Sequence, residues 1–339
     1  MKSDFPEMLT AFFGQYLELH KGLSPNTISS YSDAFLLLFA FYKETYRIAP
    51  ERIKFQDISR ASIMEYCNWL ENARNSSAKT RNLRLTAIHT FFRYVTMQDP
   101  AKLALCNEIL DIPMKKCEKI SPVHLSAEEL KVLFAAPDVK SRKGIRDLAI
   151  MTLLYDTGTR VSELIGLKVE DIRLDKKTAT VTILGKGRKQ RIVPISSATA
   201  DIVKVYYKSN KIDLTDYRRL VFTNNRGDAL TRPGINYILD KYVQRARESN
   251  PDMFKSKVSA HVMRHTKATI LLLSDVNLIY IRDFLGHSSV TSTEIYAKTN
   301  PEFLRRAVER NAQNYNEAIK YYDRGAKEEL SEFLKSFRT

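Results

Sequence analysis

The segment "HVMRHT", His261 to Thr266, sets two imidazoles one helical turn apart with a guanidinium between them. Histidines at i and i+4 share a helix face, a common zinc-ligand spacing. Arg264 argues for a ligand of the opposite charge, because a permanent cation beside a metal ion is electrostatically unfavourable. The glutamate that zinc proteases place after the first histidine is Val262 here, and only six histidines occur in the chain. An anion fits better. Arg264 offers a planar fork suited to two phosphate oxygens. His287 follows Gly286 in "FLGHSSV", which reads as a helix C-cap, and Tyr296 closes "TSTEIY". Arg160, after "TGT", adds a second guanidinium at a helix start, where backbone N–H groups favour anions. Lys186 lies in the glycine-flanked turn "GKGRK", able to reach over a ligand. Guanidiniums, an ammonium, proton-carrying imidazoles and a phenol oxygen are together the equipment for attack on a phosphate ester, with no metal ligand set.

Each residue also has a plainer reading. Lys186 alone is an ordinary turn lysine, and its neighbours Arg188 and Lys189 suit contacts to a phosphate backbone. His261 alone could be a satisfied core imidazole; His265 reads as one and stays outside the catalytic set. His287 alone is a loop histidine. Tyr296 competes with the other tyrosines, among which Tyr280, mid-helix in "NLIYIRDFL", reads as core. Glu163, one turn after Arg160, either orients that arginine or is a helix surface charge.

Mostly helices must position these groups. "SPNTISSYSDAFLLLFAFYKE" starts at Ser24-Pro25 with apolar residues at helical spacing. "SRASIMEYCNWLENARN" is a second helix and "SAKTRNLRLTAIHTFFRYVTMQ" a third, with Lys79, Arg81 and Arg84 near its start. These three basic residues are candidate contacts to a polyanion such as nucleic acid, or solvated charges. "DIPMKKCEKISPVHLS" then breaks the pattern with prolines and lysines and reads as a basic linker. Ser126 and Glu129 have capping-box spacing. "IRDLAIMTLLYDTGTR" is an apolar helix stopped at Gly158, and a short helix follows Arg160. "TATVTIL", "GKGRK" and "QRIVPI" make a hairpin, the only clear β region. Helices then cover 202–208, 234–247, 261–273, 278–285 and 291–296, and a charged helical tail follows.

Composition bounds the partners. With 339 residues and 44% apolar content the chain is long enough for two folded domains. Lys and Arg outnumber Asp and Glu by 54 to 39, a net charge of +15, which favours nucleic acid as partner. The three cysteines form no C-x-x-C pair, which fits a reducing cytoplasm. No apolar run reaches membrane-span length, so no membrane association is expected.

The order of Arg160 in "TGTRVSEL", Lys186 in "GKGRKQRIVP", "HVMRHT" and "LGHSSVTSTEIY" resembles the tyrosine recombinase (phage integrase) family. "KGLSPNTISSY" resembles the core-binding domain of Xer-type and transposon-borne members. The resemblance implies a mainly α fold with a small antiparallel β-sheet. Residues 1–112 would form a helical, SAM-like core-binding domain that holds DNA, 113–124 a linker, 125–300 the catalytic domain and 301–339 a C-terminal helical tail. The tail's apolar stripe (Leu330, Phe333, Leu334, Phe337) would fold back on its own domain or dock on a neighbouring protomer. The implied function is site-specific DNA recombination without cofactor or metal. The implied partners are double-stranded DNA recombination sites and a homotetramer on DNA, or a heterotetramer with a related recombinase. Arg160 and Arg264 would hold the non-bridging oxygens and Tyr296 would attack phosphorus. His261 would take or place the tyrosine proton, His287 would bind the phosphate and Lys186 would protonate the leaving 5′ oxygen. A type IB topoisomerase, a non-catalytic DNA-binding regulator and a metallohydrolase are the competing classes.

Overall fold

The structure, a computed structural model, describes residues 5–117, 122–175, 178–185, 189–287, 289–290, 293–294 and 305. Two compact units divide the chain, Met1–Lys119 and Ile120–Thr339.

The described part of the first unit is helical. Helix α1 (Phe5–Ala11) continues into a wider, π-type helix over Phe12–His20. It is followed by α2 (Pro25–Thr45), α3 (Arg60–Asn72), α4 (Ala78–Gln98) and α5 (Leu103–Leu110). The starts follow the local chemistry. Pro25 occupies the first helical position of α2, where its missing N–H costs nothing. The Ser59 and Ser77 hydroxyls accept from the Ser62 and Thr80 amides and cap α3 and α4. The core is unusually aromatic. Phe91 of α4 is fully buried, and its ring centroid lies within 5.4 Å of those of Phe5, Phe12, Phe35 and Phe92, all edge-on. Burying one such side chain contributes roughly 1.5–3 kcal/mol. Asn82 binds the start of the linker, donating to Lys115 O at 2.7 Å and accepting from Lys115 N at 3.0 Å.

The second unit is built around α7 (Arg142–Thr157), which follows α6 (Ala127–Ala135). Ala149, Ile150, Met151, Leu153 and Leu154 are all 0% exposed, so α7 is apolar on most sides and runs through the core. Ser126 and Glu129 form the expected reciprocal cap of α6, at 3.1 and 2.9 Å. After the short α8 (Val161–Ile165) come β1 (Ile172–Leu174), β2 (Ala179–Leu184) and β3 (Gln190–Ile195), an antiparallel sheet in that order. β1 was not legible in the sequence, being only three residues long. Val181 opposes Val193 and Ile183 opposes Arg191 in the register of β2 with β3. Helices α9 (Ser197–Ser209), α10 (Arg232–Ser249), α11 (Ala260–Leu273) and α12 (Leu278–Leu285) complete the described unit. No described helix is long and apolar enough to cross a membrane. The expected helix over 291–296 and the tail from 301 lie outside the described residues, apart from 293, 294 and 305.

Candidate active site

The end of α12 organises the site. Gly286 takes a left-handed conformation (φ +67°) and stops the helix. The His287 amide donates to Arg282 O at 3.0 Å and the Gly286 amide to Asp283 O at 3.1 Å, the paired closure of a Schellman cap. Each of the next three carbonyls accepts from a different arginine. Arg191 Nε reaches Phe284 O at 3.0 Å, Arg264 Nη2 reaches Leu285 O at 2.8 Å, and Arg160 Nη2 reaches Gly286 O at 3.2 Å. A helix C-terminus carries partial negative charge and orphan acceptors, so it can hold cations that would otherwise repel.

Arg264 is 1% exposed. Its Nη1 donates to Gly158 O at 2.7 Å, and Gly158 is the left-handed cap of α7 (φ +56°). Two glycine-capped helix ends therefore grip one buried guanidinium, offsetting the cost of removing its charge from water. Arg160 stands just before α8 with 40% of its side chain exposed. Its Nη1 donates to Glu163 Oε1 at 2.8 Å.

Glu163 is no surface charge: its side chain is 6% exposed. Oε2 accepts from the Arg160 amide at 3.0 Å, from Thr159 Oγ1 at 2.9 Å and from Arg191 Nη2 at 2.8 Å. Burial by itself would raise this carboxyl, but the Arg191 and Arg160 donors outweigh it and hold the group at about 2. Three guanidiniums against one carboxylate leave the cluster strongly cationic.

The histidines add hydrogen-bonding capacity. His261 is exposed on the first turn of α11, and its ring lies edge-on to that of His265 with centroids 4.2 Å apart. His265 is pushed down to about 4 by burial, then by His261 and Arg264. His287 is half-buried and hydrogen-bonded through Nδ1 to Thr293 Oγ1 at 3.0 Å. Burial, followed by Arg264 and Arg160, pushes it down to about 4 as well. Both are neutral near pH 7. Among the described residues no group of three or more His, Cys, Asp or Glu could hold a metal ion.

The structure thus brings Arg160, Glu163, Arg264 and His287 together, with His261 and His265 close enough to depress His287. Lys186, Arg188 and Tyr296 lie outside the described residues. Lys189 is exposed at the foot of β3, its carbonyl accepting from the Gly185 amide at 2.8 Å. The three basic residues of α4 part company. Lys79 is exposed. Arg81 is 6% exposed and donates to Pro113 O and Asn82 Oδ1, each at 3.0 Å, so it ties α4 to the linker instead of facing outward. Arg84 is half-buried and donates to Ser30 O at 2.9 Å. Tyr280 corrects another expectation: it is 70% exposed on α12, whose buried face is Ile281 and Leu285.

Arg191 escaped the sequence reading. Its signal was there, since Arg191, Val193 and Ile195 share the inward side of a strand with period two. A charged residue in a core register asks for a buried partner. Asp156 and Lys267 were also missed. Lys267 Nζ meets Asp156 Oδ1 at 2.8 Å, and Asp156 Oδ2 accepts from the Ser196 amide at 2.6 Å, joining α7, α11 and the start of α9.

Residues 124–302 match the phage integrase family, and residues 9–101 match its N-terminal SAM-like domain. The chain is 36% identical to a putative integrase/recombinase, y4rC, of Sinorhizobium fredii, with 85% of this chain and 86% of the relative covered. It is 32% identical to tyrosine recombinase XerC of Bacillus subtilis, covering 86% and 92%. Its fold is similar to that of the XerH site-specific recombinase bound to a palindromic difH substrate (TM-score 0.65, 22% identity, 87% and 84% covered). It is also similar to the Tn1549 transposon integrase in complex with transposon right end DNA (TM-score 0.67, 18% identity, 90% and 99% covered).

Proposed function

The chain belongs to the phage integrase family of tyrosine recombinases, enzymes that cleave and rejoin DNA in site-specific recombination, and from this we propose that Tyr296 attacks a scissile DNA phosphate held by Arg160 and Arg264. The observation that carries the proposal is the row of three arginines on consecutive carbonyls at the end of α12, directly before His287.

A phosphodiester repels nucleophiles by its charge, and a phenol with an ordinary pKa near 10 attacks poorly at neutral pH. Two preorganised guanidiniums lower the first barrier, because they already point where negative charge grows and need no reorganisation. Arg264 supplies the rigid half, with its donors anchored on two helix ends. Arg160 supplies the accessible half, exposed on one side and braced by Glu163 on the other. His287, neutral beside them, donates a hydrogen bond to a phosphate oxygen. Exposed His261 receives or positions the tyrosine proton, and Lys186 protonates the departing 5′ oxygen. The product is a 3′-phosphotyrosyl linkage that keeps the ester bond's energy, so a 5′-hydroxyl from another duplex can reverse the step without cofactor or metal. Repetition on the second strand pair passes through a Holliday junction.

The units divide the labour. Residues 1–112 bind the duplex, 125–300 carry the chemistry, 113–124 link them, and the tail from 301 serves assembly. Four protomers, identical or shared with a related recombinase, act on two recombination sites in the cytoplasm. The basic net charge of +15 suits such a polyanionic partner.

Trapping on a nicked suicide substrate tests the nucleophile. Wild-type protein should form a covalent DNA adduct stable to denaturing electrophoresis, and Tyr296→Phe should bind the same site yet form none. An adduct formed by the Phe variant would remove Tyr296 from the reaction.

A further inference from the structure

Arg191 takes no part in the phosphoryl transfer just described, yet it is built into the same cluster. It stands on the inward side of β3, opposite Ile183, which is 0% exposed. Its own side chain is 12% exposed. A guanidinium removed from water needs full compensation, and an aliphatic side chain would serve the sheet alone equally well. Its donors go to two elements that bear on the candidate phosphate site. Nη2 and Nη1 meet the two Glu163 oxygens at 2.8 and 3.3 Å, and Nε meets Phe284 O at 3.0 Å.

The geometry around Glu163 shows what this pairing does. Oε1 is shared between Arg191 Nη1 and Arg160 Nη1. Without Arg191 the carboxylate would balance its charge on Arg160 alone. It could then turn and draw that guanidinium onto itself, in competition with a phosphate. With Arg191 bound, both oxygens are oriented and the charge is met from the buried side. Gly286 gives independent support. A Cβ there would lie 2.7 Å from Arg191 Nη1 and 3.0 Å from its Cζ, so the α12 cap has its close approach to this guanidinium built in.

We propose that Arg191 is a positioning residue: it satisfies Glu163 from the buried side and braces the end of α12, so that the Arg160 guanidinium stays available to the scissile phosphate. The inference rests on the reading of Arg160 as a phosphate ligand. It requires no contact between Arg191 and DNA.

The test measures covalent-adduct formation by the full-length chain on nicked substrates. One substrate carries an ordinary scissile phosphodiester. The other carries a methylphosphonate there, in which a methyl group replaces a charged oxygen and removes the charge that Arg160 would meet. Four chains are compared: wild type, Arg160→Ala, Arg191→Gln and the double variant. On the phosphodiester, Arg191→Gln should be slower by about tenfold or more with half-site binding unchanged, and in the Arg160→Ala background it should add less than about twofold. On the methylphosphonate its defect should largely disappear. Arg191→Lys keeps the cation beside Glu163 but loses the fork, and should recover part of the rate. It provides the same comparison if the Gln chain does not fold. Equal slowing on both substrates, or full slowing on top of Arg160→Ala, would reduce Arg191 to a structural residue and overturn the inference. If Arg160→Ala alone cleaves the phosphodiester at the wild-type rate, the phosphate role of Arg160 fails first, whatever Arg191 does.

Discussion

Arg264 and Gly158 lie 106 positions apart in sequence and are joined at 2.7 Å, guanidinium Nη1 to carbonyl oxygen. The contact makes the left-handed cap of α7 part of the candidate active site, as the cap of α12 is through Leu285 O. Two glycines that stop helices are thus also what lets a buried arginine keep its charge.

Gly286→Ala should therefore damage chemistry more than DNA binding. Left-handed backbone costs a residue with a Cβ about 1–2 kcal/mol, and here the added atom would also displace the Arg191 guanidinium. Urea denaturation should register a loss of that order. Adduct formation on a nicked substrate should fall by about tenfold or more while half-site affinity holds. Adduct formation at the wild-type rate would show that the row of arginines tolerates disorder.

Acid should weaken the folded chain in two windows. His265 and His287 are held down from an ordinary 6.5 to about 4, so below 6.5 the unfolded chain binds more protons than the folded one. Their contribution is complete above pH 6.5 and is lost as the pH falls towards 4. Glu163 is held at about 2 against an ordinary 4.5, so its contribution is complete above 4.5 and is lost between there and 2. The thermal midpoint should drop by several degrees from pH 7 to pH 4. His287→Gln should flatten the upper window and Glu163→Gln the lower one. Unchanged profiles in both variants would sink the assignment.

Lys79 and Arg81 should separate in a salt titration. Lys79→Ala, an exposed change, should lower half-site affinity and reduce the log–log salt slope by about 1. Arg81→Ala should instead destabilise the first unit by about 1–3 kcal/mol, because Pro113 O loses its charged donor. A reduced salt slope for Arg81→Ala with stability intact would return it to the DNA-facing set.

Lys186→Ala should cleave ordinary DNA slowly and recover on a substrate whose leaving 5′ oxygen is replaced by sulfur, which departs without a proton. Equal impairment on both substrates would leave Lys186 as a DNA contact and move the proton donor to Arg188 or Lys189.

The sequence by itself determined the helix starts, the glycine stops and the hairpin, because these depend on side chains within a few residues of the backbone they satisfy. Ser126 capping Glu129, and Gly158 and Gly286 closing α7 and α12, are of this kind. It also determined the kinds of residue available for the chemistry, since the order Arg160, Lys186, His261, Arg264, His287, Tyr296 needs no coordinates to be seen. Tertiary structure alone decided which of two readings Glu163 takes, because a carboxylate one turn from an arginine looks the same on a surface as in a core. The arrival of Arg191 from β3, 28 positions away, is what makes Glu163 a buried, doubly paired anion. Tyr280 went the other way. Its apolar neighbours are inward-facing only where α12 packs, and helix rotation leaves the tyrosine in water. Arg81 likewise looked like a DNA contact until Pro113, at the start of the linker, supplied a carbonyl to receive it. Each of these outcomes depends on partners far away in sequence, since whether a charge lies buried or exposed is fixed by what packs beside it.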